Sequence, residues 1–485
     1  MIIEFLTKLT SVMFYASLPL LIALIYSIYL DDGAWVPIGI TILILAFPAI
    51  PQIIKAMIEN IINLLKKMVK PKMTFNYARL IDMDEMRKNV EVLTLGEMLA
   101  ITSAVWILVP AICSIPYLYY GRGLTDAFFE SMSGWTSTGL SAIPTLGKLP
   151  QSMILFRSIT QWIGGLGIVV LIVTVLRGKE AHGFLKAEGR ASNEIGISET
   201  VGMIFKVYLA LTLAGIILLV ICDIDLFNAI NLAFSGVSNG GFFPFDSYEF
   251  NEAQKFVLTL LMFAGATSFM FYKNVWEFKL NLAFLDEEFL LYVIITAGAI
   301  LTIVFIGGED IYNTALNTIS AIAAGGFATG NLNVMHPFSL YLIVILMLCG
   351  GMFGSTTGGI KIWRMLVIVK TILLRIRAAF LPTGSVQVAK INGHPIDEHV
   401  ILESAVFVFS YLFLFLFAAG IFLLANYSLQ NSLFIVASAM GNVGLTTINI
   451  PEVGELGKGF LIILMYLGRI EIFPSLALIR YMMRR

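Results

Sequence analysis

Charge is scarce in this chain. Asp, Glu, Lys and Arg make up 13% of its 485 residues against 58% apolar residues, and mean hydropathy is +0.88. That balance excludes a water-soluble globule, in which about a quarter of the residues are charged. Cysteine is scarce too. Cys113, Cys222 and Cys349 stand far apart in or beside apolar runs, without CxxC spacing, so they read as packing residues rather than a disulfide framework or thiolate site. The four histidines, His182, His336, His394 and His399, fall in predicted loops without HExxH or i,i+4 spacing, which excludes the usual zinc patterns. No Ser/His/Asp, HExxH or paired-aspartate set falls in the apolar runs. An enzyme is therefore not expected, nor a resident cofactor or a nucleic-acid partner.

What the chain does have is length of apolar sequence. Val12–Leu30, Leu99–Leu118, Val207–Cys222 with its flanks, Leu290–Ile306 and Val406–Leu424 each approach or exceed the roughly 18–20 residues that cross a bilayer core. The first run has no small-residue cleavage site and leads into another, so no cleavable leader is expected. The fold class is an all-α, multi-pass integral membrane protein.

Between these runs a polar, glycine-bearing segment recurs: "SMSGWTSTGL" (131–140), "FSGVSNGGFF" (234–243), "SAIAAGGFAT" (320–329) and "SAMGNVGLTT" (438–447). In each, a serine precedes a glycine by six residues: Ser133/Gly139, Ser235/Gly241, Ser320/Gly326 and Ser438/Gly444. A large apolar residue follows: Leu140, Phe242, Phe327 or Leu445. Each segment follows a short amphipathic stretch and lies between spans, giving a unit of helix, half-helix, glycine loop and helix. The expected layout is a two-helix hairpin (spans near 12–30 and 35–54) with a basic loop over 1–95, then repeats over 96–201, 202–286, 287–398 and 399–485, or ten spans and four half-helices. With both termini inside, inner segments carry 25 of the 31 Lys and Arg, outer segments five, and Arg469 lies within a span. The cluster Lys55, Lys66, Lys67, Lys70, Lys72, Arg79, Arg87 and Lys88 is inner, and 307–340 has no Lys or Arg. By the positive-inside rule the glycine loops face outward.

Non-helical backbone at membrane depth is tolerated only where protein buries it or where it lines a cavity. Four such loops around one axis form a narrow passage lined by backbone, and carbonyl rings can replace the hydration shell of an alkali cation. Windows 136–140, 238–242, 323–327 and 441–445 contain no Asp, Glu, Lys or Arg, which disfavours a divalent-cation or anion pore. The candidate filter residues are Thr136, Ser137, Thr138, Gly139 and Leu140; Ser238, Asn239, Gly240, Gly241 and Phe242; Ala324, Gly325, Gly326 and Phe327; and Asn442, Val443, Gly444 and Leu445.

Below them, "GGMFGSTTGG" (350–359) interrupts an apolar run with five glycines and three Ser/Thr. A helix there is weak, since each glycine costs about 1 kcal/mol against alanine. The GK[ST] ending of a phosphate loop is absent. Gly350, Gly351, Gly354, Ser355, Thr356, Thr357, Gly358 and Gly359 are read as a flexible segment in the pore, a candidate gate. Arg469 within "LIILMYLGRIEIF" costs roughly 2.5–3.5 kcal/mol mid-span and so faces a polar partner or cavity. It is either a structural arginine bonded to loop carbonyls, a positive barrier touching 350–359, or both. Glu471 is too close in sequence for an intrahelical pair with it. The stretches 361–399 and 177–200 are solvated faces or docking surfaces. A carrier would show paired broken helices with buried acids; one strongly broken span and one intramembrane acid, Glu471, are expected.

These motifs resemble the membrane subunit of the Trk/Ktr/HKT superfamily of potassium transporters, closest to the Trk type, over nearly the whole chain. "FFESMSGWTSTGLS", "SNGGF", "GGFATG" and "GNVGLTT" look like its filter loops, and "QWIGGLGIVVL" (161–171) and "LGRIEIFPSLALI" (467–479) resemble its second helices in repeats one and four. "GNVGLTT" lacks the proline after glycine that many Trk members have and looks more Ktr-like. The resemblance implies potassium uptake across the cytoplasmic membrane, with K+ bound in a pseudo-fourfold filter and glycine at all four key positions marking potassium selectivity. It further implies an intramembrane gating loop closed by "GGIK" with Lys361, a homodimer with two pores, and a cytosolic ring of nucleotide-binding regulatory subunits.

Overall fold

The computed structural model describes residues 2–51, 95–175, 197–380 and 388–483. The basic cluster at 55–88, His182 and most of the 177–200 stretch lie outside them. At the N-terminus, α1 (Ile2–Ser17) and α2 (Leu20–Leu30) run in series, and α3 (Trp35–Ala46) packs against both. The second expected span, 35–54, is described as far as Pro51.

The first unit comprises α4 (Leu95–Cys113) with its short continuation α5 (Ile115–Tyr119), half-helix α6 (Leu124–Trp135) and α7 (Gln151–Val175). The second comprises α8 (Ile197–Ile221), half-helix α9 (Leu226–Val237), α10 (Glu252–Gly265), α11 (Phe269–Trp276) and the short α12 (Leu280–Phe284). The third has α13 (Glu287–Gly307), half-helix α14 (Ile311–Ile322), α15 (Pro337–Cys349) and α16 (Ile362–Ala378). A two-residue-per-strand hairpin, β1 (Lys390–Ile391) and β2 (His394–Pro395), follows. The fourth unit is α17 (Glu398–Leu424), half-helix α18 (Leu429–Gly441), α19 (Glu455–Ile470) and α20 (Ile472–Met483).

Among the described residues, five helical stretches are long and apolar enough to cross a membrane: Leu6–Leu30, Leu99–Tyr119, Gly202–Ile221, Glu287–Gly307 and Glu398–Leu424. They coincide with the five expected runs. Their large side chains point outward, as with Ile294, Phe305, Phe409 and Phe413, the arrangement a hydrocarbon solvent rewards and water does not.

The expectation of a single broken span is corrected. Besides the interruption at 350–361, α10 and α11 meet at 94°, and α19 and α20 at 105°. These breaks follow from composition: Gly265 to Ser268 and "RIEIFP" end one helix and cap or restart the next. Ser268 Oγ accepts from the Met270 N–H at 3.3 Å, and Glu471 takes a left-handed φ of +63°.

Candidate functional site: four half-helix loops and the segment beneath them

The half-helices are 12 or 13 residues long, or roughly 18–20 Å at 1.5 Å per residue, too short for a hydrocarbon core of about 30 Å. Their starts share a signal that hydropathy does not carry. The N-cap residues Gly123, Asp225, Asp310 and Ser428 each lie 16 residues before the key glycine. The last three accept from the N–H of Asn228, Asn313 and Asn431 at 3.1, 2.9 and 3.2 Å, satisfying an orphan donor of the first turn.

Their ends are alike too. Ser137, Asn239, Ala324 and Asn442, each two residues before the glycine, adopt left-handed φ of 52°, 53°, 56° and 53°. The next N–H, of Thr138, Gly240, Gly325 or Val443, donates to the carbonyl of Ser133, Ser235, Ser320 or Ser438 at 2.9, 2.8, 2.7 and 2.8 Å. This is the six-to-one bond of a Schellman termination, and it accounts for the Ser-to-Gly spacing of six. Gly139, Gly241, Gly326 and Gly444 then take φ of +88°, +76°, +70° and +94°, a region open to glycine without penalty.

The four loops meet in a closed cycle of equivalent contacts. The carbonyl of Gly240 abuts Gly139, that of Gly325 abuts Gly241, that of Val443 abuts Gly326, and that of Thr138 abuts Gly444. A Cβ on Gly241 would come within 3.0 Å of the Gly325 oxygen, and one on Gly326 within 2.7 Å of the Val443 oxygen. Four backbone oxygens and four glycines thus share one ring. The residues behind it are buried and apolar: Leu140, Phe242, Phe327 and Leu445.

Side chains brace the ring from outside. Gln161, fully buried on α7, donates through Nε2 to the Gly240 carbonyl. Its Oε1 accepts from Phe242 N at 3.1 Å and Ser235 Oγ at 2.6 Å. Glu130 and Arg157, 1% and 2% exposed, form an ion pair at 2.7 Å. Glu130 also accepts from Ala142 N at 2.9 Å, and Arg157 donates to the Phe243 carbonyl at 3.2 Å. The guanidinium lies 4.0 Å from the Phe242 ring centre. The pair therefore ties the first loop to the second. Glu471 as the one intramembrane acid, and Arg469 as the one intramembrane base, are corrected accordingly. "FFES" and "LFRS" held the missing charges, but sequence spacing alone does not show that they meet across 27 residues.

Beneath the ring lies 350–361. Its ends pinch together: Ile360 N donates to Leu348 O at 3.0 Å and Lys361 N to Cys349 O at 2.8 Å. The loop docks into the break between α10 and α11, with Met352 N bonded to Ala266 O at 3.0 Å and Phe269 N to Gly354 O at 3.2 Å. Thr356 Oγ1 donates to Gly265 O at 3.0 Å and is hydrogen-bonded, also at 3.0 Å, to the side-chain amide of Asn239. Gly358 packs against Asn442 and Gly441. Lys361, 7% exposed, folds back so that Nζ donates to the Thr357 carbonyl and, at 2.9 Å, to its hydroxyl.

Arg469 lies in the last turn of α19, at its bend. It donates to Thr356 O at 2.5 Å and to Gly164 O and Gly165 O at 2.6 and 3.3 Å. It thus binds loop carbonyls and touches 350–359. Glu471 instead pairs with Arg364 of α16 at 2.7 Å. The structure brings all the predicted filter and gate residues into one neighbourhood.

Long apolar helices packed around a ring of buried, non-helical glycine loops define a multi-pass membrane protein. The chain belongs to the TrkH family of cation transport proteins, which matches residues 90–307 and 273–484; it is a family of transporters, not enzymes. It is 33% identical over 379 residues to an uncharacterized cation transporter of Methanocaldococcus jannaschii, covering 76% of this chain and 78% of that one. It is 28% identical over 412 residues to the Trk system potassium uptake protein TrkH of Vibrio parahaemolyticus, covering 77% and 83%. The crystal structure of the potassium transporter TrkH from Vibrio parahaemolyticus shares the fold, with a TM-score of 0.80 at 22% identity over 97% of both chains.

Proposed function

We propose that the protein takes up K+ across the cell membrane through a gated, channel-like pore. The carrying observation is the closed cycle of four uncharged glycine loops, each with the same backbone path. The ring is a pseudo-fourfold selectivity filter in which carbonyl oxygens of the 136–140, 238–242, 324–327 and 442–445 segments hold dehydrated K+, the transported substrate. Half-helices end at this ring, and their partially negative C-termini favour a cation beside it. Potassium as the cation is supported by the names of the Trk system relatives. The five-part division of the chain, an N-terminal hairpin and four repeats, is supported by the common 16-residue interval from N-cap to glycine.

The 350–359 segment with Lys361 is the gate, and Arg469 stands beside it as both anchor and positive barrier. Positive-inside counting supports cytoplasmic termini. A homodimer, and an inner ring of nucleotide-binding regulatory subunits docked on the basic inner face, complete the proposal. The second reading, a carrier coupling K+ to H+ or Na+, draws support from the three broken second helices, since carriers use discontinuous helices at their sites. Reconstituted protein in planar bilayers separates them. Unitary K+ currents that persist without an H+ or Na+ gradient are expected; flux that vanishes when either gradient is removed favours the carrier.

Arg469→Ala removes a charge and an anchor of Thr356 together. A unit charge 4 Å from the ion is worth about 4 kcal/mol at an effective dielectric of 20. Cavity water and the carbonyls on the guanidinium screen most of it, leaving roughly 1–2 kcal/mol, or about tenfold in flux. Arg469→Lys keeps the charge without the planar fork. Low flux in Lys with high flux in Ala, and little change in K+/Na+ preference in either, is the expected result in vesicle assays. Equal flux in the two assigns the barrier to the anchor alone.

A further inference from the structure

The start of α13 carries three consecutive carboxylates with separate duties. Asp286 caps the helix, its Oδ1 accepting from Phe289 N at 3.0 Å. Glu287 pairs with Lys370 of α16 at 2.5 Å. Glu288 turns inward, 6% exposed, and its Oε1 accepts the N–H of Phe353 at 2.6 Å. Phe353 lies in the middle of 350–359, so a buried carboxyl oxygen holds the loop by its backbone, and removing that oxygen leaves a buried N–H without its acceptor, the costly case for a hydrogen bond. Beside the contact is a cavity of about 150 Å³ lined by Ser268, Asn274, Glu288, Met352 and Phe353, room into which the loop can shift.

The neighbouring carboxylates are gripped from outside by one residue. Asn392, at the tip of the β1–β2 hairpin with φ +50°, donates from Nδ2 to Asp286 Oδ2 at 2.6 Å and from its N–H to Glu287 Oε1 at 3.1 Å. Its Oδ1 accepts from Glu287 N at 2.9 Å. The hairpin's Ile391 is buried with Leu366 and Val367 of α16, while Lys390, Gly393, His394 and Pro395 are exposed. An exposed hairpin is thereby fastened to the two residues before the one that holds the loop.

We propose that Glu288 is a positioning residue that latches the 350–359 loop, and that Asn392 sets the latch. A partner or force that displaces the hairpin moves the start of α13 and releases Phe353. The inference rests on the reading of that loop as the gate. In vesicles holding the full chain, Glu288→Ala is expected to raise K+ flux about tenfold, and Glu288→Gln, which keeps an acceptor oxygen, to stay within about threefold of wild type. Asn392→Ala is expected to give about threefold, and the Asn392→Ala/Glu288→Ala pair no more than about tenfold, because both act on one contact.

In a chain lacking 351–358, none of these substitutions should change flux, whereas a merely structural role would lower flux and thermal stability in both backgrounds. Hydrogen exchange of the peptide containing Phe353 should quicken in Asn392→Ala. If the loop deletion raises flux while Glu288→Ala and Asn392→Ala do not, the latch is refuted and the gate stands. If the deletion leaves flux unchanged, gate and latch fall together. Should Glu288→Ala not fold, unchanged exchange in Asn392→Ala overturns the proposal.

Discussion

Gly139→Ser should lower the K+/Na+ permeability ratio by about tenfold or more, while K+ flux itself survives. The glycine holds φ +88°, where a side chain costs roughly 1–2 kcal/mol, and its Cβ would collide with the Gly240 carbonyl oxygen. That oxygen cannot retreat freely, because Gln161 Nε2 donates to it from behind. The strain must be relieved by rotating one or both peptides, which alters the oxygen ring at one corner. Discrimination between two alkali cations rests on how well the ring replaces each hydration shell, and about 1.4 kcal/mol of mismatch is about tenfold. The measurement is the reversal potential under bi-ionic K+ and Na+ conditions. A ratio equal to wild type would remove Gly139 from the filter.

Deleting 351–358 should raise K+ flux on the order of tenfold to a hundredfold, the second large effect. Loop bonds to Ala266, Gly265 and Phe269, with that from Arg469 to Thr356, hold the segment in place. At about 1 kcal/mol net each, several such bonds keep an open state near a few per cent or below. Excision is geometrically mild, because Gly350 and Gly359 already touch: a Cβ on Gly350 would lie 3.3 Å from the Gly359 Cα. The helices α15 and α16 therefore need not move far to be joined. Flux equal to wild type, from a deletion variant that is monodisperse and membrane-inserted, would leave the loop without a gating role.

The long spans were legible because an apolar side chain facing lipid leaves a run of hydropathy that no other solvent permits. The glycine loops were legible because a repeated backbone conformation selects the same residue at the same offset. Other features were not. The bends after Gly265 and before Pro474 interrupt segments whose mean hydropathy stays high across the break, so hydropathy passes over them. The Glu130–Arg157 pair and the Gln161 brace join residues distant in sequence, and a lone buried polar residue carries no local pattern. Ser137 and Ala324 hold left-handed φ although neither type favours it. Only the Asn at 239 and 442 gave a local hint of that conformation, and only comparison of all four loops exposes the shared offset from N-cap to glycine.

The central claim is that backbone oxygens of the four-loop ring select K+ over Na+. Purified full-length protein in liposomes, with K+ or Na+ as the only permeant cation, tests it most directly. Voltage-driven K+ flux is expected to exceed Na+ flux at least about tenfold, the discrimination that roughly 1.4 kcal/mol supplies, and to fall toward parity in Gly139→Ser. Equal K+ and Na+ flux through the wild-type protein would contradict the account.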